Sequence, residues 1–262
     1  SYSRLPQHFG IPYVSFGNSE SVNIDFDHLK QTIISKHVKI MFVSSPGNPH
    51  GKIIPKFELD QLCKLSKELN FYLIFDAVYK ELYVHEMAHQ PFEHFGPNLF
   101  YANSFSKLLS ITGWRIGYLI ADSSHMPDIR SMHDYTGLCV PSVLQEALVD
   151  YLEDFNGGME YIKNLRQNIL HCYQQMVPNL QNIGFIIPNI DGGYFIWAKL
   201  PPFFQSGFDF AEQLYNKEKI SVVPGIHFSE NAQNYIRLSI ARPDNELKEA
   251  RIGIERFIHQ SI

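Results

Sequence analysis

The sequence predicts an α/β protein: a domain built on a parallel sheet, followed by a smaller α+β domain. Two observations carry this. Apolar runs at 39–43, 71–75 and 99–102 each stop at a polar residue and are separated by helix-sized segments, the pattern of strands joined by helical crossovers. After Pro178 the character changes to short alternating strands and turns that end in one amphipathic helix. The boundary is placed near 160, giving domains over 1–160 and 161–262.

Residues 1–24 are rich in aromatics, Pro and Gly, with 11–16 expected as a first strand. Asp25 is a candidate helix cap, with Phe26, Leu29, Ile33 and Ile34 as an apolar stripe. Lys39–Ser44 is the kind of short apolar run that a parallel strand buried on both faces needs. It stops at Pro46-Gly47-Asn48-Pro49-His50-Gly51, where two prolines and two glycines force a turn. Pro55 opens a helix with Leu59, Leu62, Leu65 and Leu69 on one side, and Phe71–Phe75 is the next strand, ending at Asp76. A helical pattern runs from Ser142 to about Val177, interrupted at Gly157-Gly158. Strands are then expected at 185–187, 193–197, 221–225 and 235–240, and a last helix from Asp244 with Leu247, Ala250, Ile254 and Phe257 inward.

Composition narrows the function. The 262 residues are 45% hydrophobic and 19% charged, an ordinary globular balance. A formal charge of -5 without any run of Lys or Arg leaves no footprint for nucleic acid or an anionic membrane. Cys63, Cys139 and Cys172 are too few and scattered for a disulfide framework or a paired zinc site, and a cytoplasmic location is expected. No apolar run reaches the roughly 18 residues of a spanning helix. His85, His89 and His94 with Glu86 and Glu93 fall on a stretch broken by Pro91 and Gly96, so a solvated surface is expected there and no metal.

In open parallel sheets ligands sit outside the carboxyl ends of the strands. That edge is where Asn48, Asp76 and Lys107 are expected to converge. Each has a plain alternative: a turn asparagine, a helix cap or ion-pair partner, a surface lysine. Lys107 lies just past the strand 99–102, within Ser104-Phe105-Ser106-Lys107 and ahead of Gly113-Trp114-Arg115-Ile116-Gly117-Tyr118. A lysine amine condenses with aldehydes, and a guanidinium offers a fork for phosphate oxygens. Glycines at 113 and 117 bracket Arg115 and let the backbone turn tightly or approach a ligand closely.

This run resembles the lysine signature of fold-type I pyridoxal-phosphate aminotransferases, the class I/II aminotransferase family. Asn48-Pro49-His50-Gly51 resembles the family's Asn-Pro-x-Gly, with His50 where Thr is more usual, and Asp76 with Tyr79 resembles its Asp-x-x-Tyr. Gly192-Gly193-Tyr194-Phe195, Val223-Pro224-Gly225 and Tyr235-Ile236-Arg237-Leu238 resemble landmarks of its small domain, in order. The resemblance implies a three-layer large domain and a homodimer. It implies pyridoxal 5'-phosphate held as a Schiff base on Lys107, which also serves as the base. Asp76 would face the pyridine nitrogen, Tyr79 and Asn48 the 3-oxygen, and Ser104 and Arg115 the phosphate. Arg237, with Asn48, would hold the substrate carboxylate, and Arg242 ranks second for that role. The implied reaction moves an amino group between an α-amino acid and a 2-oxo acid. Two alternatives remain: a lyase or cyclase with the same cofactor, and a cofactor-sensing domain of a transcription regulator. The family's N-terminal segment, with its glycine-containing phosphate loop and ring-stacking aromatic, is not located in this sequence, so a piece of a longer enzyme is expected.

Overall fold

The computed structural model describes residues 2, 4–16 and 23–260; part of the aromatic, Pro- and Gly-rich stretch read over 1–24 lies outside them. The helices are α1 (Arg4–His8), α2 (Phe26–Ser35), α3 (Lys56–Glu68), α4 (Phe105–Leu108), α5 (Met126–Thr136), α6 (Ser142–Asp154), α7 (Met159–Asn182), α8 (Gly207–Glu218) and α9 (Asp244–His259). The strands are β1 (Ile40–Ser44), β2 (Tyr72–Asp76), β3 (Leu99–Ser104), β4 (Gly117–Ile120), β5 (Phe195–Lys199), β6 (Val223–Pro224) and β7 (Tyr235–Ser239). The chain divides into two compact units interleaved in sequence. The first comprises Ser1–Ser45, Ile54–Val78 and His89–Ala147, the second Pro46–Ile53, Tyr79–Ala88 and Leu148–Ile262.

The first unit is an α/β layer around the sheet β1-β2-β3-β4. β1, β2 and β3 run parallel, with Ser44 opposite Asp76 and Asp76 opposite Ala102, so their carboxyl ends are aligned. β4 is antiparallel to β3, a strand that the signature motif concealed. Asp25 caps α2 by accepting the His28 amide at 2.9 Å, and Leu29 and Ile33 are buried. α3 presents Leu59, Leu62 and Leu65 to Leu73, Phe75, Leu99 and Tyr101 in a shared core. Fully burying each such side chain stabilises by about 1.5–3 kcal/mol.

Three expectations fail in this unit. Residues 11–16 form no strand: they make no ladder, and Ile11, Tyr13 and Val14 are exposed. Ile34 is 54% exposed, beyond the edge of the α2 stripe. The sheet strands are not buried on both faces either, since Ile40, Phe42 and Tyr72 are exposed on the face opposite the α3 core. Strand propensity was read correctly there, but propensity does not reveal which face is covered.

The second unit packs helices on the antiparallel sheet β5-β7-β6. Phe210 of α8 meets Phe257 of α9 edge-on at 5.3 Å, beneath Phe204. α7 does not stop before Pro178 as expected. It continues to Asn182, because Met176 and Leu180 are buried and that packing outweighs one missing backbone donor. Of the expected strand at 185–187, only a single bridge from Ile186 to Lys199 forms. The strand at 221–225 shrinks to β6, whose two residues pair with Arg237 and Ile236.

Candidate active site

In the first unit the residues of interest follow the strand ends. Asp76 closes β2, and its Oδ1 accepts the Val78 amide at 3.1 Å, an Asx-type turn that fixes the carboxylate at the sheet edge. The Tyr2 hydroxyl donates to Asp76 Oδ2, and the Tyr2 ring stacks on Phe42 with centroids 4.9 Å apart. Sequence reading did not single out Tyr2. It stands in an aromatic stretch with no spacing that distinguishes it from its neighbours.

Ser104 ends β3 and caps α4. Its Oγ accepts the Ser106 amide at 3.1 Å and donates to the Ile116 carbonyl at 3.0 Å, which ties the strand end to the returning chain. Lys107 is the third residue of α4, half-buried and within one turn of Ser104. Arg115 sits where the chain reverses. It adopts the left-handed conformation itself (φ 60°), and its Nη1 donates to the Thr112 carbonyl at 3.2 Å. Arg115, and neither bracketing glycine, takes the positive φ of the turn. Gly113 has open space around it. Gly117, however, lies so close to β3 that a Cβ would stand 2.6 Å from the Asn103 carbonyl oxygen.

In the second unit Asn48 accepts a hydrogen bond from Arg237 Nη1 at 2.9 Å, across 189 residues of sequence. The Arg237 guanidinium lies 4.1 Å from the Phe195 ring centroid and 4.9 Å from that of Phe228. Its Nε is buried and makes no hydrogen bond. Desolvation lowers its pKa from the usual value, opposed by Tyr79 and Tyr194. Arg237 is thus a half-buried cation with one arm engaged and an unpaired inner donor, rather than an exposed strand arginine. Tyr79 is buried, edge-on to Tyr194 at 5.6 Å and to Phe195 at 6.0 Å. Arg242 is 61% exposed and engaged with Glu246 at 2.7 Å.

Asp76, Ser104, Lys107 and Arg115 accordingly share one unit, and Asn48, Tyr79 and Arg237 the other. Among the described residues no group of three or more His, Cys, Asp or Glu is arranged to hold a metal. His94 instead pairs with Asp60 at 2.9 Å. Among the same residues, no helix is long and apolar enough to cross a membrane.

The donor set of the first unit fits a pyridoxal phosphate chemically: a carboxylate for the ring nitrogen, an amine for the aldehyde, and a hydroxyl and a guanidinium for the phosphate. Comparison with known proteins bears on the family and the fold. An aspartate aminotransferase of Thermotoga maritima is 30% identical over 246 residues, covering 92% of this chain and 61% of the relative. One from Pyrococcus horikoshii is 27% identical, covering 86% and 58%. The chain thus spans about three fifths of these relatives' length. Among solved structures, the Thermotoga maritima aspartate aminotransferase superposes with a TM-score of 0.83 at 26% identity, over 95% of this chain and 64% of that one. A variant of the Thermus thermophilus aspartate aminotransferase superposes at 0.89 and 24% identity, over 98% and 70%. The fold is that of the fold-type I aminotransferases. The family model for class I and II aminotransferases matches residues 1–254, and the chain belongs to that family.

Proposed function

We propose that this chain forms part of a pyridoxal-phosphate-dependent aminotransferase that moves an amino group between an α-amino acid and a 2-oxo acid. The observation that carries the proposal is the alignment of Asp76, at the end of β2, with β3, whose own end leads through Ser104 into the helix bearing Lys107. When bound, pyridoxal phosphate supplies an aldehyde for amines and a ring that withdraws electrons from the substrate's Cα.

The chain's own groups would then divide the work. Asp76 keeps a negative charge at the ring nitrogen, and its tie to the Val78 amide stops it rotating away. The Tyr2 hydroxyl donates to the other oxygen of the same carboxylate, while the Tyr2 ring lies against Phe42. Lys107 would offer its amine to the cofactor's aldehyde and would serve as the base for the substrate's α-proton. Ser104 and Arg115 receive the phosphate, while Tyr79 and Asn48 receive the ring oxygen. Arg237 holds the substrate carboxylate through the fork of its guanidinium. On this reading residues 1–160 act as the cofactor-binding domain and 161–262 as the small domain. The protein acts as a cytoplasmic homodimer, a state favoured by the exposed Met132, Tyr135, Leu138 and Val143.

Absorbance with added pyridoxal phosphate tests the proposal. The wild type should develop a band near the visible edge that shifts when amino acids are added, and Lys107→Ala should not. The same band in both proteins, or no band from a folded wild type, would refute it.

A further inference from the structure

The turn that carries Asn48 is built around a histidine. Within the second unit, residues 46–53 are fastened to Asp191 and Gly192. The Gly51 carbonyl accepts their amides at 3.1 and 2.8 Å, and the Ile53 amide donates to Asp191 Oδ2 at 3.2 Å. The turn also closes on itself, with the Gly47 amide donating to the Lys52 carbonyl at 2.9 Å and the Gly51 amide to the Gly47 carbonyl at 2.7 Å. The His50 imidazole fills the inside: a Cβ on Gly47 would stand 2.3 Å from His50 Cε1. His50 Nδ1 accepts the Lys52 amide at 3.0 Å. That bond needs a lone pair on Nδ1, so it exists only for the neutral ring, whose proton is then on Nε2. In the imidazolium, two N–H groups would face each other.

We infer that His50 is a positioning residue which, in its neutral form, closes the turn and so sets Asn48 against Arg237. The assignment rests on the reading of Arg237 as a carboxylate holder only for its consequence in ligand binding. Burial lowers the imidazole pKa from its usual 6.5, the nearby Lys52 charge acts in the same direction, and Asp191 opposes them. Lys52 and Asp191 are the charged groups that bear on the ring, themselves 3.5 Å apart. The folded state therefore binds the proton less readily than the unfolded chain. The stabilising contribution is fully present above pH 6.5 and is lost as pH falls through the lowered value.

The chemistry supplies a matched control. An asparagine side chain hydrogen-bonds the backbone amide two residues on, as His50 does, but it does not titrate. Phenylalanine keeps a ring against Gly47 without an acceptor. In nitrogen-labelled protein, the Lys52 amide, the Asn48 side-chain amide and the Arg237 Nε–H are followed from neutral pH downward until the protein acid-unfolds. In the wild type all three should move together as His50 titrates. His50→Asn should hold the neutral-pH positions throughout, and His50→Phe should show the displaced Asn48 and Arg237 signals at both ends. Acetate, titrated as the simplest carboxylate, should bind His50→Phe more weakly than wild type by on the order of fivefold, the loss of about one hydrogen bond. Wild-type Asn48 and Arg237 signals in His50→Phe, or an undiminished pH response in His50→Asn, would overturn the assignment. If the His50 variants behave as expected but acetate never shifts the wild-type Arg237 signal, the assignment stands and the carboxylate reading of Arg237 falls.

Discussion

Replacing Arg237 separates binding from stability. The guanidinium can offer a carboxylate two charge-assisted hydrogen bonds, each contributing about 1.5–3 kcal/mol. Lysine at 237 keeps the charge but loses the fork, hence about one of those bonds. It also loses the bond to Asn48 and part of the stacking on Phe195, contacts within the protein that bear on stability and cancel from the affinity. The affinity for an amino acid or 2-oxo acid should fall by about 1.5–3 kcal/mol, or about 10-fold to 150-fold. Stability should move the other way. Arg237 Nε is buried without a partner, and leaving a buried donor unsatisfied costs roughly 1–3 kcal/mol. Arg237→Met, which keeps an apolar stem against Phe195 and Phe228, should unfold at the same urea concentration as wild type or higher while losing carboxylate binding. The assays are calorimetric titration of a 2-oxo acid and urea unfolding followed by fluorescence. Carboxylate affinity in Arg237→Lys within about threefold of wild type would refute the role of the fork. Marked destabilisation of Arg237→Met would refute the idea that this arginine is kept at a cost to the fold.

Further tests address the scaffold. Phe75 is fully buried and stacks on Tyr101 with centroids 6.0 Å apart, so Phe75→Ala should cost about 3–5 kcal/mol in urea unfolding. Gly117→Ala would press a methyl on the Asn103 carbonyl and part β4 from β3; a loss of about 1–3 kcal/mol and weaker pyridoxal phosphate binding are expected, measured by unfolding and absorbance. Burial pushes the Cys63 thiol up to about 11 and Cys139 is exposed, so a thiol reagent at mildly alkaline pH should label Cys139 first, and Cys139→Ser should retain only slow labelling. Asp25→Ala removes the α2 cap and should destabilise by about 1 kcal/mol.

The helices and strands with strong periodicity were legible in the sequence. The stripe Leu59, Leu62 and Leu65 and the run ending at Asp76 are dictated locally, by side-chain spacing and by the polar residue that stops each strand. The Lys107 run was legible for a different reason, since its residue types and spacing resemble a family signature. Elements that depend on a partner were not legible. Residues 11–16 have strand composition but pair with no strand among the described residues, and β4 was hidden because a glycine that permits close approach also looks like a turn former. Pro178 looks like a helix stop until the burial of Leu180 outweighs it.

By itself the sequence determined the α/β order, the strand ends and the chemical types available at them, because these follow from period and residue identity. Only the tertiary structure decided which groups meet. The Tyr2 hydroxyl on Asp76, Arg237 on Asn48 and the Lys52 amide on His50 Nδ1 are contacts whose partners no periodicity specifies. The state of the Arg237 guanidinium was likewise decided by packing. The aromatic rings of Phe195 and Phe228 desolvate it and leave Nε unpaired, and desolvation is a property of surroundings that a one-dimensional pattern does not contain.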